Sequence, residues 1–430
     1  MNRTNETKLS LRILSLLLSL LLLLPLAACG QKTAVTSADA SAGASAETTT
    51  SVTTALETTA AETTVAETTE APPKYEIRLN APASTAIHTE LQASYLSAAD
   101  PHTVLSYADN GGTIELGRPN PITLTWTVPT EAEGRVSAYT LRVWTKDDAS
   151  DAKEIALDAD KTEYALINVF IGTTYRWTVT LLDDEGDSVT SEVASFTTDG
   201  QAPRNLYVDS VTNVRDIGGW TILDGGRVRQ GLLYRGARMN DNFSTDSSIS
   251  EEGIKTLCEE IGIKTEIDLR QTQAINNRNE SGGITSSPLG AGVTYLARPM
   301  DYGDVLITEQ KNIQRVREVF ALLADESNYP IYFHCSIGTD RTGLIAWLVN
   351  GLLGVSETDL WRDYLFSNFG TIEGTRTRAK NEGVYVNQIK ETTGETLSEK
   401  TYNFLKDYFG VPESDIEAVI RILKEAPNAQ

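Results

Sequence analysis

Cysteine and histidine are rare in this chain, with three of each, yet one of each stands together in YFHCSIGTDRTG, Tyr332 to Gly343. The preceding residues, YPIYFHC, predict a buried strand, and the following TGLIAWLVNGLLG predicts a buried helix. A glycine-bearing loop between a strand and a helix directs several backbone N–H groups, and the positive end of the helix, at one point. We therefore expect this loop to bind an anion.

Two side chains of the same stretch would turn that anion site into a reactive one. Arg341 offers a planar fork that matches two phosphate oxygens. The same donors would stabilise a thiolate on Cys335, and a thiolate is a nucleophile toward a phosphoester. Thr342 can donate its hydroxyl to the sulfur and ease its departure in a second step. The expected phosphate-binding loop comprises Ser336, Ile337, Gly338, Thr339, Asp340 and Arg341.

The spacing His334-Cys335-x5-Arg341-Thr342 resembles the signature of the cysteine-dependent tyrosine phosphatase superfamily. Four further segments follow the order found in bacterial secreted tyrosine phosphatases with a C-x-x-G-K-D-R loop: NVRDIGG (213–219), GLLYRG (231–236), IDLR (267–270) and DYLFSN (363–368). The resemblance spans about residues 205 to 425 and implies a phosphocysteine intermediate, with no metal and no cofactor. It also implies supporting roles for His334, Asp268, Arg270, Arg215 and Asp216.

One departure from that family concerns the substrate. The lysine of the family's loop is Thr339 here, and in the family this lysine is associated with highly charged substrates such as phosphoinositides. Residues 203–430 also carry 24 Lys and Arg against 32 Asp and Glu. We expect the substrate to be a phosphorylated protein, most of all one that carries phosphotyrosine, or a small phosphomonoester. The alternatives are a phosphoinositide or inositol-phosphate phosphatase, and a phosphate-binding adhesion protein without turnover.

Three carboxylates are candidates for the general acid that protonates the leaving oxygen. Asp340 fits the family pattern and lies beside the bound phosphate. Asp301, in VTYLARPMDYGD, has the chain position of the acid loop in dual-specificity phosphatases. Asp268 follows a predicted strand and is the third choice, with a loop-orienting role as its alternative. His334 is expected to steady the loop and not to act as a base.

The elements around the loop predict an α/β domain over residues 203–430, with a central sheet flanked by helices. SEEGIKTLCEEIGI places Ile254, Leu257, Cys258 and Ile261 on one helical face, with Ser250 as N-cap. Cys258 is therefore expected to be a core residue. Further apolar residues at helical spacing, from Ile313 to Leu323, predict a second helix before the strand that leads to Cys335.

Residues 74–200 predict an all-β sandwich ahead of the α/β domain. Alternating runs at 122–128, 138–145, 163–169, 174–183 and 193–198 are separated by turn residues. Trp126 and the run from Leu166 to Tyr175 make this region resemble a fibronectin type III domain, with Tyr175 in the tyrosine corner. We expect it to act as a spacer or to bind a protein or carbohydrate ligand.

The first 73 residues predict export and a lipid anchor. A basic flank, a short apolar run and LPLAACG read as a signal peptide over 1–28, and the sequence before Cys29 resembles the cleavage site of bacterial lipoproteins. Residues 29–73 are rich in Thr, Ala, Ser and Glu and predict a disordered tether. With 37 Lys and Arg against 59 Asp and Glu, no nucleic-acid partner is expected. The predicted location is the extracytoplasmic face of the cell membrane.

Overall fold

The computed structural model describes residues 74–101, 113–272 and 279–426, which form a β-sandwich followed by an α/β domain. Both parts belong to one compact unit, Glu70–Gln430. The predicted signal peptide (1–28), Cys29 and the predicted tether (29–73) lie outside the described residues. No helix within the described ranges is both long enough and apolar enough to cross a bilayer.

The sandwich consists of two antiparallel sheets, one with the order β1-β2-β5 and one with the order β4-β3-β6-β7, in which β8 also pairs with β6. Its strands are β1 Arg78–Asn80, β2 Ile122–Thr127, β3 Val136–Trp144, β4 Lys153–Asp158, β5 Glu163–Leu166, β6 Thr174–Asp183, β7 Ser188–Thr190 and β8 Ala194–Thr197. The predicted sandwich is confirmed, and β1, β4 and β7 are additional strands that the sequence patterns did not indicate.

Two aromatic contacts fix the interior of the sandwich. Trp126 of β2 packs edge-on against Tyr139 of β3, with ring centroids 5.5 Å apart. The hydroxyl of Tyr175 accepts a hydrogen bond from the backbone N–H of Phe170 at 2.8 Å. This is the tyrosine-corner geometry expected from the sequence, in which the hydroxyl bonds to backbone a few residues upstream.

The chain between β1 and β2, residues 81–121, carries two helices. We call its described residues, 81–101 and 113–121, the insert. The helices are α1 Glu90–Ser97 and α2 Ile114–Gly117. Thr89 caps α1, since its hydroxyl accepts from the N–H of Gln92 while the Gln92 side chain accepts from the N–H of Thr89. The N-terminus of α1 is therefore capped by residues of the insert itself.

The α/β domain is built on a six-stranded sheet with the order β14-β13-β15-β12-β10-β9. The first four of these strands are parallel, and β10 and β9 are antiparallel to their neighbours. The strands of this sheet are β9 Arg204–Asn205, β10 Arg215–Asp216, β12 Leu233–Gly236, β13 Thr265–Asp268, β14 Thr294–Ala297 and β15 Ile331–His334. A separate antiparallel pair is formed by β11 Arg227–Val228 and β16 Lys424–Glu425.

The helices of this domain include the two that the sequence pattern predicted before and after β15. The α-helices of the domain are α3 Glu251–Lys255, α4 Gln310–Leu323, α5 Asp340–Leu353, α6 Glu357–Phe366, α7 Arg378–Asn381, α8 Asn387–Glu391, α9 Leu397–Asn403 and α10 Glu413–Leu423. Ser250 caps α3 as expected, but the helix widens into a π turn at Thr256–Glu260. Cys258 in that turn is half-buried and packs against the core.

Strand β15 and helix α5 form the centre of the domain and lead into and out of the Cys335 loop. All four residues of β15 are buried, as expected for a strand with parallel neighbours on both sides. Every residue of α5 except Asp340 is buried, so this largely apolar helix is covered on all faces, and it begins directly after the loop. The loop is therefore anchored at both ends by core elements.

The sandwich and the α/β domain share one hydrophobic core cluster. Hydrogen bonds cross the junction as well. The guanidinium of Arg204 in β9 donates to the backbone oxygens of Asn168 and Val169 at 2.6 and 3.0 Å, and His88 Nε2 is 2.8 Å from the backbone oxygen of Pro203. These buried contacts make the sandwich part of the same body as the α/β domain.

Candidate active site

The loop between β15 and α5 turns tightly around a central space. Gly338 has a φ of +72°, and a Cβ at this position would lie 2.4 Å from the backbone oxygen of Gly236. A side chain is excluded both by the backbone conformation and by this close approach. The predicted glycine-bearing loop is thus held against the end of β12.

The carbonyl groups of the loop point outward because side chains on neighbouring segments donate hydrogen bonds to them. The bonds run from His334 Nδ1 to Cys335 O (3.0 Å), from Arg238 Nη1 to Ser336 O (3.1 Å), from Asn213 Nδ2 to Ile337 O (3.0 Å) and Gly338 O (3.1 Å), and from Arg235 Nη2 to Gly338 O (2.8 Å). Within the described residues, no protein acceptor bonds to the backbone N–H groups of Ser336 to Thr339. Those donors and the α5 N-terminus are available to an anion.

The thiol of Cys335 lies inside this ring of donors and is 2% exposed. Burial acts most strongly and by itself raises the pKa of the thiol, because a buried thiolate loses its hydration. The charge of Arg341 and the nearby hydroxyl and backbone N–H of Thr342 outweigh burial, so the pKa of Cys335 is lowered. The thiol is therefore more easily ionised than an ordinary cysteine.

Arg341 is locked in place beside Cys335 by a carboxylate that the sequence motifs did not identify. Glu280 accepts from Nη1 and Nη2 of Arg341, at 2.7 Å each, and Nη1 also lies 3.3 Å from the backbone oxygens of Leu269 and Met300. The buried Nε of Arg341 has no acceptor among the described residues. This N–H is free to bind a phosphate oxygen while Glu280 holds the rest of the guanidinium.

His334 is fully buried and braces the loop from below. Its Nε2 donates to Glu266 at 2.9 Å, and its Nδ1 donates to the Cys335 carbonyl. Burial tends to lower the pKa of His334, but the carboxylates of Asp268 and Glu266 outweigh it and the pKa is raised. Both ring nitrogens are engaged by protein groups, so neither is available to take a proton from substrate or water, which fits the expected structural role.

Asp268 is also fully buried and accepts hydrogen bonds from two residues, Arg270 and Tyr295. Arg270 Nη2 lies 2.7 Å away and the Tyr295 hydroxyl 3.0 Å away. Burial raises the pKa of Asp268, but His334 and Arg270 outweigh it and bring the pKa to about 2. This carboxylate is therefore ionised at neutral pH, which fits its alternative role in orienting the loop.

Arg270 and Arg215 connect the loop to the rest of the domain. Arg270 Nη1 is 3.5 Å from Asn242 Oδ1, and the Asn242 amide donates to the Ser336 hydroxyl. Arg215 Nε donates to Asp363 in α6 at 2.8 Å, and Arg235 donates to the other oxygen of the same carboxylate at 2.6 Å. Asp363 thus aligns the arginine that holds Gly338.

Asp216 lies apart from the loop. Its carboxylate accepts from Arg204 at 3.0 Å and from the backbone N–H groups of Gly218 and Gly231 at 2.8 and 2.6 Å. Burial, the largest effect, raises its pKa above the usual value. Among the described residues these contacts belong to the junction with the sandwich, so the structure does not bring Asp216 together with the other predicted site residues.

The two leading acid candidates both lie beside the pocket. Asp340, at the start of α5, is ion-paired with Lys380 at 3.1 Å and with Arg376 at 3.5 Å. Arg376 Nε also donates to the Thr339 hydroxyl at 3.1 Å, so a cation stands next to the position of the missing loop lysine. No sequence motif pointed to Arg376 or Lys380.

Asp301 follows β14 on a loop that reaches the same pocket. Its carboxylate accepts from the Gln271 amide and lies 3.3 Å from Lys311 Nζ. Asn312 holds its backbone, accepting from the Asp301 N–H at 2.8 Å and donating to the Asp301 oxygen at 2.9 Å. The next residue, Tyr302, has its ring 5.4 Å from Arg341 Cζ. The residues on both sides of Asp301, Met300 and Tyr302, therefore contact Arg341.

A family model described as the tyrosine phosphatase family matches residues 206–428, which is more than half of the chain. The chain belongs to the tyrosine phosphatase family. A fibronectin type III model matches residues 113–197, which lie in the sandwich. The phosphatase domain therefore contains the whole loop from Cys335 to Arg341.

Two curated proteins illustrate these matches. A Cupriavidus necator protein named "Putative tyrosine-protein phosphatase" is 29% identical over 191 residues, which are 39% of this chain and 64% of the relative. "Fibronectin type III domain-containing protein 1" of Margaritifera margaritifera is 29% identical over 135 residues, 31% of this chain and 17% of the relative. This chain thus spans less than two thirds of the length of either protein.

Among solved structures, the core catalytic domain of the PP-IP phosphatase SIW14 from S. cerevisiae, in complex with citrate, is 16% identical. The match covers 38% of this chain and 90% of that domain, with a TM-score of 0.25. The fibronectin type III domain of human contactin 1 is 22% identical, covering 20% of this chain and 71% of that chain with a TM-score of 0.17.

The two described thiols are expected to ionise at different pH. Cys335 should react with iodoacetamide at lower pH than Cys258, because the pKa of Cys335 is lowered whereas burial and the charge of Glu259 raise the pKa of Cys258. Peptide mass spectrometry of the folded chain across a pH series, with each rate scaled to its plateau, separates the two profiles.

The matched variant for this titration is Thr342→Val, which removes the hydroxyl near the sulfur. It should move the Cys335 profile to higher pH and leave the Cys258 profile where it is. Coincident profiles for the two thiols, or a Cys335 profile that is unchanged in Thr342→Val, would contradict the stabilisation of the Cys335 thiolate by Arg341 and Thr342.

Proposed function

We propose that this protein is a phosphomonoester hydrolase that removes phosphate from phosphotyrosine in proteins through a phosphocysteine intermediate. The observation that carries the proposal is the placement of Cys335 inside a ring of inward N–H groups, next to a guanidinium with a free Nε. Such a ring binds the three non-bridging oxygens of a phosphate and favours the thiolate at the same time. Family membership supports the same reaction class.

In the first step, Cys335 Sγ attacks phosphorus and the bond between phosphorus and the tyrosyl oxygen breaks. A carboxylic acid gives its proton to that oxygen, so tyrosine leaves neutral. Arg341 and the loop N–H groups stabilise the charge on the equatorial oxygens during transfer. In the second step, water attacks phosphorus and gives a proton to the carboxylate left by the first step, which restores the acid. The S–P bond breaks, and the Thr342 hydroxyl hydrogen-bonds the departing thiolate. Inorganic phosphate is the second product.

Depth and surface chemistry support a phosphotyrosine substrate. Cys335 and Arg341 are only 2% and 3% exposed, so a phosphate must extend well below the surface to reach the sulfur. A phosphotyrosine side chain is long enough to do so, whereas a phosphoserine would bring its backbone against the rim. Tyr302 and Phe243 are 61% and 46% exposed, and both lie on segments that contact the Arg341–Glu280 pair. They give the rim an aromatic surface.

The charges near the loop favour a monoester over a polyphosphorylated inositol. Lys380 and Arg376 are paired with Asp340, Lys311 is paired with Asp301, and Arg341 is held by Glu280. A second phosphate group would have to compete with these carboxylates. Because Arg376 still places a positive charge beside Thr339, inositol phosphates are the second candidate substrates and belong in the test.

We propose further that the protein acts at the extracytoplasmic face of the cell membrane, held there by lipid on Cys29. The support is the N-terminal sequence, in which a basic flank and a short apolar run precede the small residues before Cys29. A tether of residues 29–73 would hold the folded unit away from the bilayer. Its substrates would then be exposed proteins or small phosphomonoesters outside the cytoplasm.

The substrate assignment is tested with the purified chain and a panel of phosphotyrosine peptides, phosphoserine peptides and inositol phosphates. We expect kcat/KM to be highest on phosphotyrosine peptides. Cys335→Ser should abolish turnover of every substrate, because serine is not ionised at neutral pH, while orthovanadate still binds. Turnover by Cys335→Ser near the wild-type rate would refute the phosphocysteine intermediate, and a preference for inositol phosphates would overturn the assigned substrate.

The general acid is identified by its dependence on the leaving group. Removing the true acid should lower kcat about 10²–10⁴-fold on phosphotyrosine, and much less on an activated aryl phosphate whose leaving oxygen needs little protonation. We expect Asp340→Asn to show this selective loss and Asp301→Asn a smaller one. If Asp301→Asn shows the selective loss while Asp340→Asn slows both substrates alike, the assignment must be reversed.

The anchor is tested by Cys29→Ala in the full-length chain. Without a thiol to carry lipid, the protein should leave the membrane fraction or retain its uncleaved signal, as read by fractionation and by the intact mass. Cys258→Ala serves as the control, since it removes a cysteine of the folded part and should leave the anchor unchanged. An unaltered membrane fraction and mature mass in Cys29→Ala would exclude a lipid on this residue.

A further inference from the structure

Helix α1 of the insert is seated on helix α6 of the phosphatase domain. Tyr95 is fully buried, its hydroxyl donates to the backbone oxygen of Arg362 at 3.2 Å, and its ring lies 6.4 Å from Phe366 and 5.6 Å from Phe369. In return, Arg362 Nη2 donates to the backbone oxygen of Ala98 at 2.9 Å. The contact combines ring packing with reciprocal hydrogen bonds, so it fixes both the position and the rotation of α6.

The residue after Arg362 is Asp363, on which the loop arginines depend. Asp363 accepts from Arg215 Nε and Arg235 Nη1, and Arg235 Nη2 in turn holds the Gly338 carbonyl at 2.8 Å. Arg215 also donates to the Asn213 amide oxygen at 2.6 Å, and the Asn213 amide nitrogen donates to the carbonyls of Ile337 and Gly338. A displacement of α6 would therefore reach the phosphate loop through two routes.

The insert also contacts β9, the edge strand of the central sheet, at a residue that is paired with Arg215. Asn205 of β9 donates to the backbone oxygen of Gly117 in the insert at 2.8 Å. Asn205 is paired with Arg215 across β9 and β10, and Arg215 is paired with Arg235 across β10 and β12. The insert thus contacts Asn205 at one end of this group and Arg362, the residue that precedes Asp363, at the other.

That group tolerates little movement, because it buries two guanidinium groups against one carboxylate. Burial, and then the like charge of Arg215, lower the pKa of Arg235 to about 10. Buried ion pairs are stable only when their geometry is close to ideal. A small shift of Asp363 would leave a buried arginine poorly paired and would release its bond to the loop.

We propose that the insert is an internal brace of the phosphatase site, in which Tyr95 and the Gly117 carbonyl position Asp363 and Arg215 and thereby the phosphate loop. The sandwich is then a structural part of the catalytic unit, and its partner is the phosphatase domain itself. Tyr95 is a positioning residue, since it touches neither the loop nor the phosphate. The proposal concerns anion binding by the loop, so it can be tested without reference to the physiological substrate.

The test compares Tyr95→Ala with Tyr139→Ala in the full chain. Both side chains are buried tyrosines of the sandwich region, but Tyr139 packs against Trp126 inside the sandwich. Orthovanadate affinity and kcat/KM on an activated aryl phosphate are measured at a temperature at which circular dichroism shows both variants to be folded. Tyr95→Ala should weaken vanadate binding about 2- to 30-fold, the usual range for coupling through packed networks. Tyr139→Ala should leave vanadate affinity unchanged.

Two further variants make the outcome decisive. Tyr95→Phe keeps the ring and loses only the bond to Arg362, so it should fold and show a smaller loss of vanadate affinity in the same direction. In the double variant Tyr95→Ala with Asp363→Asn, the two losses should be less than additive, because both act through the same carboxylate. Equal losses in Tyr95→Ala and Tyr139→Ala, full affinity in both folded Tyr95 variants, or strict additivity with Asp363→Asn would overturn the brace. Loss of turnover with vanadate affinity intact would count against the proposed reaction, and not against the brace.

Discussion

The outward direction of the loop carbonyls is the constraint on which the site depends. A short loop can present its N–H groups to a phosphate only if its carbonyls are bonded elsewhere, because unpaired buried carbonyls are costly. His334 at the end of β15, Arg235 and Arg238 in and just after β12, and Asn213 before β10 supply those bonds. The loop conformation is therefore determined largely by residues distant in sequence, which in turn explains why so many buried polar groups surround it.

The same constraint accounts for the buried charges beneath the site. The buried ring of His334 lies against the carboxylates of Glu266 and Asp268, and Asp268 is in turn held by Arg270. Arg235 requires Asp363, which also pairs with Arg215. Each buried charge would be costly alone in the interior, and pairing offsets that cost, although Arg235 Nε and one carboxylate oxygen of Glu266 have no hydrogen-bond partner among the described residues. Stability and loop geometry are consequently coupled, so a change in one pair disturbs the placement of donors around Cys335.

The sequence predicted the elements whose signals are local. The strand before Cys335, the helix after Arg341 and five sandwich strands follow from alternation and apolar runs, and the glycine at 338 follows from the need for a tight loop. Glu280 could not be predicted, since its contact with Arg341 joins residues 61 positions apart and no motif surrounds it. Arg235 carried a weak signal as a charged residue in an otherwise apolar strand. The family segment NVRDIGG implies supporting roles for both Arg215 and Asp216, but successive residues of a strand point to opposite faces, so only Arg215 faces the loop network.

Net charge and local field act in opposite directions in this molecule. The whole chain carries a formal charge of −22, so its long-range field does not attract a phosphorylated substrate. Affinity must then come from short-range contacts with the loop N–H groups and Arg341. Hydrogen-bond strength falls steeply with poor alignment, so the affinity for substrate depends on the geometry of the loop. A rigid body that includes the sandwich meets it better than a phosphatase domain joined to a loose spacer, because the insert contacts both α6 and β9.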